Sequence, residues 1–225
     1  MKVIELRRYP VKAMGGESLP SVELDERGLS GDRWFAVTGG DGRLACGKDS
    51  RRFRRRDKVF EWSARTDEGA VVVAGPAGEW RVGDPALDAV LTEAFGDPVR
   101  VLAEGDVQHQ DGGQVALVGT ASLEWCREHL DIDADLRRLR ANLVLETSEP
   151  FVEESWVGAD LCIGAVNLRP VERIQRCRTV DLAQDGVAGT TPFLKALGAE
   201  RDLCLGVYAE VVSPGVISVG DPVLL

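Results

Sequence analysis

Two short segments of the sequence combine side chains that could bind a charged ligand and a metal. Arg140 and Asn142 lie two residues apart at the start of an apolar segment, so a strand there would direct both side chains to one face. Arg176 and Arg178 flank Cys177, and neighbouring cations favour the thiolate form of a cysteine, the form that binds metals. Arginine binds phosphates through bidentate hydrogen bonds. These residue types suit an anionic ligand and a soft metal.

Two further basic residues lie next to apolar or aromatic segments. Lys12 follows Tyr9-Pro10-Val11, and Arg33 precedes Trp34-Phe35. Taken singly, such a residue is most often a solvated surface side chain, and a cysteine is more often a buried apolar residue than a ligand. Separation in sequence does not give distance in space, so both interpretations stay open at this point.

The cysteine and histidine content limits the kinds of metal site. The five cysteines are Cys46, Cys126, Cys162, Cys177 and Cys204. Because no CxxC occurs, structural zinc and most iron–sulfur sites have no support. Two histidines are too few for a site built on several imidazoles. A bound metal would therefore need most of its ligands from another group.

A glycine-rich segment resembles a phosphate-binding P-loop but departs from it. Gly42 to Lys48 fits the first seven positions, whereas Asp49 occupies the eighth, where a hydroxyl must bind magnesium. The basic run Arg51–Arg56 follows in place of an apolar helix. We interpret the segment as a turn followed by a solvated basic face, or as a patch that docks an anion or a partner.

Composition predicts an ordinary globular chain of 225 residues with a net charge of −10. This charge would repel nucleic acid, which we exclude as a general partner. No apolar run is long enough to span a bilayer, and the first residues alternate apolar and charged types, unlike a signal peptide. We therefore expect a cytoplasmic protein without a membrane partner.

Short apolar segments separated by many glycines and prolines predict a mainly β fold, β-rich α+β, in two β-barrel-like parts. The predicted strands are Val3–Leu6, Val22–Leu24, Trp34–Val37, Val71–Ala74, Val99–Leu102, Val115–Val118, Leu143–Leu145, Leu161–Ile163, Val166–Leu168, Val207–Val212, Val216–Val219 and Val223–Leu225. Predicted helices run from Asp84-Pro85 to Phe95, from Thr120 to Leu130 and from Thr191-Pro192 to Leu197. The polar stretch Glu104–Gly113 divides the chain into residues 1–105 and 106–225.

Taken together, five motifs in order resemble the MOSC family in its form with an N-terminal MOSC-type β-barrel, as in the amidoxime-reducing proteins of mitochondria and their bacterial relatives. The motifs are Tyr9-Pro10-Val11-Lys12-Ala13-Met14-Gly15-Gly16-Glu17, Gly28-Leu29-Ser30-Gly31-Asp32-Arg33-Trp34-Phe35, Arg140-Ala141-Asn142, Arg176-Cys177 with Thr179-Val180-Asp181, and the closing segments Gly206-Val207-Tyr208 and Pro214-Gly215 through Gly220-Asp221-Pro222. The resemblance covers essentially the whole chain.

The resemblance implies a molybdenum cofactor, Mo-molybdopterin, bound between the two parts. Cys177 would be the catalytic residue and metal ligand, with two more sulfurs from the pterin dithiolene. The implied cofactor-binding residues are Lys12, Arg33, Arg140, Asn142 and Arg176, and Thr120 and Ser122 fall near a serine position of the family. Ala13 departs from the serine that often follows the motif lysine, which removes one hydrogen bond to the cofactor. The family is also associated, at family level only, with pyridoxal phosphate binding.

The implied function is reduction of small N-hydroxylated compounds by oxygen-atom transfer, with electrons from a separate electron-transfer protein. The cofactor performs the difficult chemistry, while the protein binds and orients it. Two other functions stay open: a carrier that binds the cofactor without turnover, and sulfur transfer through a persulfide on Cys177. Metal content and labile sulfur after purification would separate them.

Overall fold

Short strands are the main regular element of the structure, a computed structural model that describes residues 1–189 and 192–225. The strands, in chain order, are β1 Val3–Arg8, β2 Glu17–Leu19, β3 Ser21–Asp25, β4 Gly28–Leu29, β5 Phe35–Gly39, β6 Leu44–Cys46, β7 Phe53–Arg55, β8 Ser63–Asp67, β9 Ala70–Gly75, β10 Gly78–Arg81, β11 Val99–Ala103, β12 Val115–Gly119, β13 Leu143–Leu145, β14 Leu161–Ile163, β15 Val166–Gln175, β16 Cys204–Ser213, β17 Gly215–Ser218 and β18 Val223–Leu224.

The described residues also contain helices α1 Pro85–Phe95, α2 Thr120–Leu130, α3 Leu136–Leu139 and α4 Phe193–Arg201. Helix α1 begins as predicted, because the Asp84 carboxylate accepts a hydrogen bond from the Ala86 amide and Pro85 occupies the first turn. Helix α4 extends beyond the predicted Leu197, and its predicted first residue, Thr191, lies outside the described residues. None of the helices described is long and apolar enough to cross a bilayer.

The largest sheet contains eight strands in the order β18-β14-β15-β16-β12-β13-β1-β2. Within it β12 and β13 run parallel, a pairing that requires a long connection, here made by α2 and α3. Three smaller sheets have the orders β10-β9-β8, β11-β5-β6-β7 and β17-β3-β4. The predicted β-rich fold is confirmed, but no pairing among the described residues joins the outer strands of a sheet, so the sheets are open and not closed barrels.

Strands from the start of the chain pair with strands from its C-terminal half. Strand β1 pairs with β13, where Val3 lies opposite Leu145, and β3 pairs with β17, where Ser21 lies opposite Ser218. A separate apolar cluster in the N-terminal half contains Val37, among other residues. The boundary at 105/106 stays a prediction, and a division there would cut both sheets.

Each predicted strand overlaps an observed one, whereas β2, β4, β6, β7, β8 and β10 were not predicted. These strands are short, and several are polar. Strand β7, for example, contains Arg54 and Arg55, whose side chains are exposed. It pairs in parallel with β6, so tertiary pairing rather than an apolar pattern makes this arginine-rich segment extended.

Candidate functional site

A pocket opens where the end of β6 meets the segments around α3 and the end of β15. Its cavity volume is about 120 Å³. Its wall is formed by Arg33, Cys46, Lys48, Asp111, Gly113, Ala116, Arg138, Leu139, Arg140, Asn142, Ile174, Gln175, Arg176, Cys177, Thr179, Val180 and Tyr208. Five of these lining residues are basic and one, Asp111, is acidic. A local excess of positive charge in an acidic chain suits an anionic ligand.

Arg140 is the basic residue of this wall with the fewest partners. Its Nη1 and Nη2 atoms are buried and have no hydrogen-bond partner among the described residues. Burial also lowers the pKa of its guanidinium. An unpaired buried donor costs about 1–3 kcal/mol, and such groups are rare in native proteins. The Arg140 guanidinium is therefore ready to bind an anion.

The backbone of Arg140 sets the direction of this side chain. Arg140 ends α3 with a φ of 52°, in the left-handed region, and its amide donates to the Leu136 carbonyl at 3.1 Å. Arg33 has a similar φ of 54°. Left-handed conformations are uncommon for residues with long side chains. The direction of both arginine side chains is therefore set by a local turn. It is not set by the alternation of side chains along a strand, as the sequence predicted for Arg140.

Tyr9 supports these two arginines from behind. Its ring is fully buried, with Arg140 4.3 Å and Arg33 5.0 Å from the ring centroid. Cation–π contacts of this kind favour a guanidinium lying on an aromatic face. Arg33 also pairs with the buried carboxylate of Asp32. The tyrosine and the aspartate hold the arginines without filling the pocket.

Asn142 and Arg176 line the pocket, but backbone contacts occupy their polar atoms. The Asn142 side chain donates to the Arg7 carbonyl at 3.2 Å and accepts from the Ala116 amide at 3.1 Å. All three guanidinium nitrogens of Arg176 donate to backbone carbonyls, those of Leu205 and Leu139, at 2.6–2.8 Å. Asn142 thus joins β1 to β12, and Arg176 joins β16 to the end of α3.

Lys12 lies behind the wall and is not one of the lining residues. Its ammonium is buried, donates to the His109 carbonyl at 2.6 Å and lies 3.2 Å from the Asp111 carboxylate. Burial alone would raise the pKa of Asp111, but Lys12, Lys48 and Arg33 lower it to about 2. Lys12 therefore acts on the pocket through Asp111, which stays ionised.

Cys177 lies on the wall with its Sγ atom 3.3 Å from the Thr179 hydroxyl. The two arginines beside it in sequence direct their guanidinium groups elsewhere. Arg176 donates to the carbonyls described above, and Arg178 donates to the Gly47 carbonyl at 2.8 Å and to both carboxylate oxygens of Asp57 at 2.7 and 3.0 Å. Neither flanking guanidinium donates a hydrogen bond to the Cys177 sulfur.

The bidentate pair of Arg178 and Asp57 joins the two halves of the chain beside Cys177. Asp57 comes at the end of the basic run, immediately after Arg56, and also pairs with Arg55 at 2.9 Å. The hydrogen bond from Arg178 holds the pKa of the Asp57 carboxyl below its usual value. Contact with the N-terminal half thus fixes the position of the cysteine segment.

Thr120 and Ser122, which fall near a serine position of the family, are not among the residues that line the pocket. The Ser122 hydroxyl lies 2.7 Å from a carboxylate oxygen of buried Glu153 and accepts from the Phe151 amide. The Thr120 hydroxyl bonds to the backbone of Thr147. These hydroxyls stabilise the start of α2 and are occupied there.

The other cysteines have different environments. Cys126 is fully buried, which raises its thiol pKa to about 11. Cys162 and Cys204 are half-buried residues of β14 and β16. Cys46, expected in a glycine-rich turn, ends β6 as a buried residue of the pocket wall. Cys46 and Cys177 therefore line the same pocket from opposite halves of the chain.

Several other wall residues, among them Arg138, Lys48 and Tyr208, were not predicted as site residues. Tyr208 packs so closely on Gly112 and Gly113 that a Cβ atom at either glycine would lie under 3 Å from its ring. The polar linker thus reaches the pocket because it carries two glycines. Two adjacent glycines in a sequence can indicate a close approach to another part of the chain. The sequence does not show, however, that the residue they approach is Tyr208.

Known proteins resemble this chain in sequence and in fold. The amidoxime-reducing component 1 of mouse mitochondria is 29% identical over 133 residues, which cover 53% of this chain and 38% of that protein. The zebrafish protein of the same name is 31% identical, with coverage of 53% and 39%. The zebrafish molybdenum cofactor sulfurase is 30% identical over 42% of this chain and 12% of that protein. The matches span under two fifths of the curated relatives' length.

A likeness in fold extends over the whole chain. The crystal structure of the YUAD protein from Bacillus subtilis superposes with a TM-score of 0.53 at 12% identity, over 99% of this chain and 93% of that one. The family described as "MOSC N-terminal beta barrel domain" matches residues 1–74, and the family described as "MOSC domain" matches residues 104–224. The chain belongs to the MOSC domain family.

Proposed function

We propose that the pocket binds a molybdenum–pterin cofactor and that the protein reduces N-hydroxylated compounds by oxygen-atom transfer. One observation carries the proposal: the buried and unpartnered Nη1 and Nη2 atoms of Arg140 line the same pocket as the thiol of Cys177. The guanidinium suits an anion, and the thiol is a soft donor for a metal. A cofactor with an anionic pterin part and a metal meets both requirements.

The donor set of the pocket fits such a group. Among the described residues there is no cluster of three or more histidine, cysteine, aspartate or glutamate side chains that could hold a metal. A metal in this pocket would therefore take most of its ligands from an organic group, with Cys177 as the proposed protein ligand. The basic lining residues supply the charge that an anionic organic group needs.

Each residue has a separate task in this proposal. Arg140 and Arg33 bind the anionic parts of the cofactor, and Tyr9 holds their guanidinium groups in place. Asn142 and Arg176 keep the wall rigid. Cys177 would be the metal ligand, and in this structure its thiol donates a hydrogen bond to the Thr179 hydroxyl at 3.3 Å. The bound cofactor supplies two-electron chemistry that protein side chains lack.

The proposed reductase needs electrons from outside the chain. No cysteine pattern in the sequence fits an iron–sulfur cluster, and no GxGxxG follows a strand. A separate electron-transfer protein is therefore part of the proposal. The name of the mouse relative, an amidoxime-reducing component, supports the substrate class.

A second candidate function uses the same cysteine. The likeness to a molybdenum cofactor sulfurase favours sulfur transfer through a persulfide on Cys177. A carrier that binds cofactor without turnover is the third. Metal, pterin and labile sulfur measured on the purified full chain, together with N-reduction driven by a reduced viologen, separate the three. We expect molybdenum, pterin and activity; labile sulfur without molybdenum would contradict the reductase.

A further inference from the structure

The arginine-rich segment that follows Asp49 contributes no residue to the wall of the pocket. Residues 41–58 contain eight arginine or lysine residues and three aspartates, a charge of +5 in a chain whose total is −10. Like charges that are clustered in this way repel each other, and a partner of opposite charge relieves the repulsion. We define the basic face as five side chains of this segment, all exposed except half-buried Arg52: Arg51, Arg52, Arg54, Arg55 and Lys58.

Backbone carbonyls accept several of the hydrogen bonds that the basic face donates. Arg52 donates to the Gln110 carbonyl at 2.6 Å, and Lys58 donates to the Ala94 carbonyl at 2.8 Å. A neutral acceptor leaves the positive charge in place. Arg54 lies 3.7 Å from an aspartate that another arginine binds more closely, at 2.8 Å. The basic face therefore keeps much of its charge although the chain is rich in acidic residues.

Strand pairing and one shared carboxylate place the basic face beside the pocket. Strand β7 is an outer strand of its sheet, and its Arg55 lies opposite Cys46 of β6, which lines the pocket. Paired strands are about 5 Å apart. Arg55 also pairs with Asp57, whose carboxylate binds Arg178, the sequence neighbour of Cys177. The basic face thus adjoins both cysteine segments of the pocket wall.

An open depression lies within the basic face. Its cavity volume is about 410 Å³, and Arg54, Arg55 and Lys58 line it together with Phe95 at the end of α1. Arginine and aromatic residues are enriched where proteins bind each other. The depression offers a partner both charge and an apolar contact.

We propose that the basic face is the docking surface for the acidic surface of a small electron-transfer protein, which delivers electrons to the adjacent pocket. That the partner carries electrons rests on the proposed function, whereas its acidity follows from the charge of the face. A compact acidic patch can contact the basic face alone. A long polyanion would also meet the remaining residues, whose charge is −15, the difference between −10 and +5.

The stoichiometry of the proposed reduction requires a partner that binds and leaves quickly. A substrate R–NH–OH takes up two electrons and two protons and gives R–NH2 and water. A flavodoxin that is oxidised from hydroquinone to semiquinone gives one electron, so two dockings complete one turnover. Electrostatic attraction between exposed charges raises the association rate, and small polar interfaces suit transient redox encounters.

The test measures binding of the full-length protein to flavodoxin, an acidic flavin-containing electron carrier. Fluorescence anisotropy of labelled, oxidised flavodoxin at low ionic strength needs neither cofactor nor turnover. We expect the double variant Arg51→Gln/Arg54→Gln to bind about ten-fold more weakly, the loss expected for two exposed ion pairs. Parental binding should disappear in about 1 M salt, where the screening length falls to about 3 Å. Both side chains are exposed, so the variant should keep the parental Tm.

The matched control is the double variant Arg81→Gln/Arg100→Gln, which removes the same charge from exposed positions elsewhere. Arg100 lies in β11, the other outer strand of the sheet that contains β7, and Arg81 ends β10 of a different sheet. Flavodoxin binding by this control should stay within about two-fold of the parent, since charges beyond the screening length of about 8–10 Å contribute little.

Equal flavodoxin binding by the parent and Arg51→Gln/Arg54→Gln would overturn the inference, as would an equal loss in the control. A parent protein that does not bind flavodoxin at low ionic strength would also overturn it, including one that binds an oligonucleotide or phosphatidylserine vesicles through Arg51 and Arg54 instead. N-reduction driven by a reduced viologen, which needs no protein docking, tests the proposed function separately. Viologen-driven activity without flavodoxin binding would reject the docking surface alone, and flavodoxin binding that depends on the two arginines without such activity would reject the reductase alone.

Discussion

The guanidinium of Arg33 donates a hydrogen bond to the backbone carbonyl of Arg140 across 3.1 Å. Both residues have positive φ angles, and both lie on the ring of Tyr9. The contact joins the N-terminal and C-terminal halves and keeps two positive charges beside each other. Strained backbone and unpaired charge lower stability, and they persist where a site needs them for binding.

The left-handed backbone of Arg140 should be measurable as strain. Arg140→Gly and Arg140→Ala both remove the guanidinium, but only glycine adopts this φ without a steric cost. We expect the glycine variant to be more stable than the alanine variant by about 1 kcal/mol, measured as the free energy of unfolding in urea. Equal stability, or a more stable alanine variant, would show that the turn is relaxed.

The pocket arginines should control cofactor retention. We expect Arg33→Ala and Arg140→Ala each to lower bound pterin about ten-fold or more under limiting cofactor, because the pocket loses a cation. Pterin is measured by extraction and fluorescence. Arg65→Ala is the control, since Arg65 pairs with Glu79 on the exposed side of another sheet. Full pterin occupancy in both pocket variants would contradict the assignment.

Cys177 should be the one cysteine that N-reduction requires. Cys177→Ser replaces a soft sulfur by a harder oxygen at nearly constant volume. We expect loss of viologen-driven N-reduction with pterin content within about two-fold of the parent, because the arginine contacts remain. Serine at Cys126, Cys162 or Cys204 should at most lower stability.

Cys46→Ser is the most informative comparison, because Cys46 lines the same pocket and is buried. Burying a hydroxyl there should lower stability but leave the activity of the folded fraction. Near-parental activity in Cys177→Ser, or an inactive Cys46→Ser that folds and binds pterin, would move the ligand assignment away from Cys177.

The ion pair of Arg178 and Asp57 should give a pH-dependent part of the stability. Because Arg178 lowers the pKa of Asp57, the carboxylate stabilises the fold above about pH 4 and loses this effect as pH falls through its lower folded pKa. Asp57→Asn should cost about 1 kcal/mol at pH 7, the upper range for a partly exposed pair.

The difference in stability between the Asp57→Asn variant and the parent should shrink below about pH 4. The control, Glu79→Gln, removes a bidentate pair with Arg65 at 2.8 Å that lies within one sheet. It should cost less, since both partners are more exposed. If Asp57→Asn lowered the free energy of unfolding equally at all pH values, the contact would stabilise the fold through packing and not through charge.

The protein should depend on an added reductant. We expect no NADH- or NADPH-dependent reduction by the purified chain and clear activity with a reduced viologen, because no pattern in the sequence fits a nucleotide-binding motif or an iron–sulfur site. Turnover with nicotinamide alone would reveal a redox site that the sequence does not display.

Local patterns predicted the fold better than they predicted the site. Apolar segments such as Val115–Val118 become buried strands because burial of apolar side chains dominates there. Strand β7 was not predicted, because Arg54 and Arg55 give it no apolar pattern. It is extended because it pairs with β6. Partners far apart in sequence decide such elements.

The site shows the same limit at single residues. Arg137 and Arg138 are adjacent and chemically identical, yet one is engaged by Asp135 and the other lines the pocket with a free nitrogen. No property of the sequence distinguishes them, because the difference comes from how α3 ends. The family motif points to Arg140, which lines the pocket, whereas Ser122, near a serine position of the family, donates its hydroxyl to Glu153 instead.

The pairing of β1 with β13 has a consequence for how the chain is made. Val3 lies opposite Leu145, more than 140 residues later in the chain, so during synthesis β1 leaves the ribosome long before β13 does. Contacts this distant in sequence form slowly, and exposed strand edges favour aggregation. Refolding should therefore be limited by the closing of this pair, and fragments separated at residue 105 should be insoluble alone but recover structure when they are synthesised together.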